Sequence, residues 1–85
     1  MKRIYKYPME VAGRVIINVP RGGKVLKVDQ QRGVICAWIL VDTDAEPETR
    51  VFDIYGTGHA VEDGQTHVGT VIVEPFVWHV FEVKR

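Results

Sequence analysis

Val34-Ile35-Cys36-Ala37-Trp38-Ile39-Leu40-Val41 is apolar at every position, and its reading decides the fold. Successive side chains on a β-strand point to opposite faces. Val34, Cys36, Trp38 and Leu40 therefore share one side, and Ile35, Ala37, Ile39 and Val41 the other. A strand apolar on both sides belongs in the middle of a sheet, or under a second sheet or a partner. The run is too short to cross a bilayer as a helix. Phe76-Val77-Trp78-His79-Val80-Phe81 is a second stretch with apolar residues on both faces.

Outward from these two runs, the chain alternates with period two and is punctuated by glycine and proline. Val15, Ile17 and Val19 alternate with Arg14 and Asn18 in 14–19, and Phe52 and Ile54 alternate with Asp53 and Tyr55 in 50–55. Further strands are expected over 3–7, ending at Pro8, over 25–30, and over 67–73. Pro20-Arg21-Gly22-Gly23 reads as a basic hairpin turn, 29–33 as a hairpin loop, and the acidic 43–49 segment, with Pro47, as an exposed loop. Only 9–13 could make a helical turn, too short to stand alone. The expectation is one all-β domain over residues 1–85, a small antiparallel β-sandwich or flattened barrel of about six or seven strands.

Composition bounds the function. Eleven basic and eleven acidic residues give a net charge of zero, whereas a chain that lives on phosphate contacts carries a basic excess, so nucleic acid is disfavoured as a partner. Cys36 is the single cysteine. It excludes an internal disulfide, fits a reducing, cytoplasmic setting, and sits where a free thiol packs as a small hydrophobe. The first residues lack the apolar core of a secretory signal, and no stretch suggests a membrane span.

Few residues carry chemistry. His59, His67 and His79 invite a metal, but their spacing matches no ligand signature, and neither metal nor cofactor is expected. No nucleophile–base pattern points to an enzyme. Gly56-Thr57-Gly58-His59 is the best candidate for ligand binding: two glycines let a ligand approach the backbone, exposed amides can cradle an anion, and Thr57 and His59 add a hydroxyl and an imidazole. No helix follows it, so it is neither a P-loop nor a dinucleotide fingerprint, and a plain structural turn is the simpler reading. Tyr5 and Tyr7 share a face with Arg3, while Ile4 points the other way. With Trp78 they make more aromatic surface than so small a core needs, which marks them as interface candidates in a homo-oligomer.

Several stretches resemble a family of short uncharacterised proteins encoded by tailed phages and prophages. They are Lys2-Arg3-Ile4-Tyr5-Lys6-Tyr7-Pro8, Val19-Pro20 with Gly23-Lys24-Val25-Leu26, Trp38 with Val41-Asp42, Phe52 through His59, and Trp78-His79-Val80-Phe81-Glu82. The resemblance implies a phage-linked gene acting in a host cytoplasm, and implies no activity. Together with the missing catalytic pattern it favours a non-enzymatic binding module that engages a host protein or a small ligand. The alternatives are a structural virion component, or a small metal protein or enzyme using the histidines.

Overall fold

The computed structural model describes residues 1–10 and 13–84. Seven strands form two antiparallel sheets: β1 (Lys2–Met9), β2 (Arg14–Pro20), β3 (Lys24–Gln31), β4 (Val34–Asp42), β5 (Pro47–Gly56), β6 (Thr66–Val73) and β7 (Phe76–Glu82). The strand order is β1-β4-β3 in the first sheet and β2-β5-β7-β6 in the second. The architecture is a sandwich; the sheets do not close into a barrel. Among the described residues no helix is long and apolar enough to cross a membrane.

The two doubly apolar strands take the interior places, β4 between β1 and β3 and β7 between β5 and β6. Ile35, Ala37, Ile39 and Val41 of β4 face inward against Val19, Phe52, Ile54, Val71 and Val80 of the other sheet, with Met9 and Val28 completing the core. The sheets approach most closely where β3 meets β6. There a Cβ added to Gly69 would lie 2.7 Å from Val28 Cβ, so glycine is what lets the strands touch. Both strands carry a bulge nearby, between Val25 and Lys27 in β3 and between His67 and Gly69 in β6.

The 29–33 hairpin is real, but its loop is tighter than expected. Gln31 pairs with Val34, and Arg32 (φ 54°) and Gly33 (φ 80°) make the two-residue turn whose twist suits paired strands. Three expectations are corrected. Pro8 does not end the first strand: it sits inside β1 opposite Cys36, tolerated because β1 is an edge. The acidic 43–49 segment is a loop only to residue 46, since β5 begins at Pro47, a first-strand position where proline is allowed. Pro20–Gly23 is no hairpin, because β2 and β3 lie in different sheets; it is a corner, tied by Gly23 N–H to Pro20 O (3.2 Å) and Arg21 N–H to Glu46 O (2.7 Å). The helical turn considered over 9–13 falls partly outside the described residues; Met9 itself belongs to β1.

Candidate functional site

Gly56 ends β5, and the turn after it closes on itself. His59 N–H donates to Gly56 O (3.1 Å), and Gly56 N–H donates to His59 Nδ1 (3.1 Å). Gly58 is in the left-handed region at φ 92°, and the imidazole lies over Gly56 so closely that a Cβ there would meet ring atoms at 3.0–3.4 Å. The two glycines thus serve different geometric ends, since Gly58 makes the turn and Gly56 makes room for the ring. The Gly56 amide is committed to His59, so the anion cradle considered for this turn loses its first donor.

What the turn offers is a wall. Gly56, Thr57 and His59 line one side of an open cleft of about 500 Å³, and Pro75, Phe76, Val77 and Trp78 of the β6–β7 hairpin line the other. Trp78 pairs with Gly56 across the strands and packs against the core. Phe76 stacks at a tilt on it, 5.7 Å between ring centres, and is 58% exposed. Two features singled out separately in the sequence, the glycine turn and Trp78, are therefore brought together. Tyr5 and Tyr7 are not part of the cleft. They face the inner side of β1, meet edge to face at 6.4 Å, and Tyr7 packs on the core.

The cleft is anchored to a polar chain across the outer face of the second sheet. Thr57 Oγ lies 3.0 Å from His79 Nε2, His79 Nδ1 lies 3.1 Å from Thr70 Oγ, and Thr70 Oγ lies 2.9 Å from His67 Nε2. A hydroxyl has one hydrogen, so Thr70 can donate to only one imidazole and must accept from the other. Both nitrogens of His79 are engaged, which fixes the ring. Phe81 lies between His67 (5.2 Å) and Tyr55 (5.6 Å) and joins this chain to a second cluster. Among the described residues no three His, Cys, Asp or Glu side chains gather as a metal group. Cys36 is buried, with its sulfur 3.6 Å from Val34 O.

The second cluster centres on Asp53. Arg14 grips both its oxygens, at 2.7 and 2.9 Å, and Gln65 donates to Oδ2 at 2.6 Å. Tyr55 O–H donates to Gln65 Oε1 at 2.7 Å. Arg14, then Gln65 and Tyr55, hold the Asp53 carboxyl below the usual carboxylate range against the opposing effect of burial, and Asp53 in turn raises the Arg14 guanidinium. On the inner face Arg50 makes a two-pronged pair with Glu82 (2.6 and 2.7 Å) and also donates to Gly23 O. Sequence reasoning passed over both clusters. The signal for the inner one was present, because Arg50 shares its strand face with Phe52 and Ile54, and Glu82 shares its face with Trp78 and Val80.

The family comparison covers the whole chain: residues 1–85 match the model described as "Domain of unknown function (DUF7352)". No curated protein matches, and neither does any solved structure.

Proposed function

Since the chain belongs to the DUF7352 family along its entire length, a description that assigns no activity, we propose from the geometry alone that it is a non-enzymatic binding module. The ligand occupies the cleft between the 56–59 turn and the β6–β7 hairpin, and is either a small molecule with a flat apolar body or an aromatic or proline side chain of a partner. The observation that carries this is the meeting of the glycine turn with Phe76 and Trp78 around one open cleft. Exposed aromatic rings beside a few fixed polar groups are the usual make-up of such a site. Thr57 supplies a hydroxyl already oriented by His79. The phage-linked, host-cytoplasmic setting suggested by the sequence motifs belongs to the same proposal.

Screening by amide and indole NMR shifts with a library of aromatic fragments and proline-containing peptides tests it. Shifts confined to Gly56, Thr57, His59 and Trp78, and abolished by Phe76→Ala, are expected. Hits scattered over the surface would sink the reading. So would a purified sample that turns over a substrate and loses that turnover on replacement of His59 or Asp53.

A further inference from the structure

The two outer faces of the sandwich are unlike. On the second sheet the hydrogen-bonded side chains described above fill the middle, and the exposed apolar residues Ile16 and Ile72 stand apart on the opposite edge strands β2 and β6. On the first sheet the apolar residues converge. Ile4 of β1 pairs with Leu40, and Leu26, pushed out by the β3 bulge, lies beside Trp38. Ile4 is 58% and Leu26 46% exposed. Together with Trp38 they line a shallow cleft of about 430 Å³.

Register fixes the charges around it. Lys24 lies opposite Leu40, Lys6 and Lys27 lie opposite Trp38 from its two sides, and Lys2 lies opposite Asp42, so four lysines share this face. Its two carboxylates are already occupied. Asp29 accepts from Gln30 N–H (2.8 Å) and faces Lys27 Nζ at 3.3 Å. Asp42 accepts from Asp44 N–H (3.0 Å) and from the amino group of Met1 (3.3 Å). Asp29 balances Lys27, and Lys6 donates to the neutral Gln31 Oε1 (2.7 Å), so the excess positive charge lies on Lys2, Lys6 and Lys24. The face is thus an apolar floor with a basic rim, on a protein whose net charge is zero.

We infer that the outer face of the β1-β4-β3 sheet docks a segment of a partner protein in which apolar side chains are flanked by aspartate or glutamate. The apolar side chains cover Ile4, Leu26 and Trp38, and the carboxylates meet the lysine rim. Apolar contact supplies the affinity, and the rim supplies the choice of partner. A second copy of the chain is the wrong occupant, because symmetric packing would bring together two faces that each carry a lysine excess. The surface is separate from the cleft of the 56–59 turn, so either proposal can fail alone.

Selection from a random library of short displayed peptides tests the inference, using the full chain and a Lys6→Glu/Lys27→Glu variant whose fold is checked by circular dichroism. The wild type should enrich peptides that combine Leu, Ile, Phe or Trp with Asp or Glu. The variant should bind those peptides about tenfold more weakly or worse, and should enrich basic apolar peptides instead. Leu26→Ser, at an exposed bulge position, should weaken binding without the switch in charge preference. No enrichment, enrichment of neutral or basic peptides by the wild type, or binding that ignores the lysine reversal would each overturn it. So would a concentration-dependent dimer in sedimentation that Leu26→Ser dissolves, since the second copy would then be the occupant.

Discussion

Replacing Glu82 with alanine should cost more stability than any other single change to a polar side chain here. Arg50 and Glu82 are 7% and 13% exposed, and the guanidinium makes two bonds to that carboxylate and one to Gly23 O. Glu82, chiefly through those bonds, keeps Arg50 more firmly protonated than an ordinary arginine. Removing the carboxylate leaves a buried cation bonded to one carbonyl, with Glu48 as a weaker charge nearby, a loss on the order of 3–5 kcal/mol when no water reaches it. Water does reach this pair, since Glu82 lines an open cleft with Thr66, Val83 and Lys84. That takes the expected loss to the lower end, about 3 kcal/mol, or roughly 15 °C in Tm for a domain this small. The double variant Arg50→Met/Glu82→Leu removes both charges and should recover most of the loss, because an apolar pair of similar volume has no unpaired ion to hide. Urea titrations of wild type, both single variants and the double variant give the coupling directly. A Glu82→Ala loss below about 1 kcal/mol, or a double variant that loses the sum of the singles, would refute the reasoning that the pair is a buried, coupled unit.

Gly69→Ala should destabilise by about 1–3 kcal/mol, read by thermal melts, because its new Cβ overpacks against the Cβ of Val28 itself. Asp53 has its carboxyl pKa lowered in the folded state, so its contribution is present above the ordinary carboxylate range and is lost as pH falls through the lowered value. The stability gap between wild type and Asp53→Asn, read by denaturant titration, should therefore be widest near neutrality and close in acid; a gap constant with pH would contradict the Arg14–Asp53 assignment. His59→Ala should leave global stability within about 1 kcal/mol while the Gly56 amide loses hydrogen-exchange protection, because His59 Nδ1 is its acceptor.

The interior strands were legible because their signal is local: a run apolar on both faces can be satisfied only in the middle of a covered sheet, and β4 (Val34–Asp42) takes in the whole apolar run from Val34 to Val41. Pro8 and Pro47 misled for a shared reason. Whether proline breaks a strand depends on whether its missing N–H faces a neighbour, and that is fixed by sheet order, which no local pattern contains. Pro20–Gly23 misled similarly, since the same turn chemistry serves a hairpin and a corner. At the candidate site the residue types of 56–59 were readable, but their use was not. The closure of His59 on Gly56 and the approach of Phe76 need β7 to lie beside β5, a pairing across the whole 57–65 connection. The Asp53 cluster was hidden for that reason too, because Arg14 and Gln65 reach it from β2 and from the connection before β6.

The strand order also sets a timetable. Two pairs, β3–β4 and β6–β7, are joined by two-residue turns and can zip as soon as both arms exist. β1 cannot, since Lys2 through Met9 pair only with Asp42 through Ile35, at the far end of the following two strands. On a ribosome β1 and β2 would emerge well before their partners β4 and β5, and would wait as unpaired edges. Such long-range closure slows folding, as in other small all-β domains. The two lysines of β1, Lys2 and Lys6, beyond any part in recognition, would keep that waiting segment from pairing with another chain.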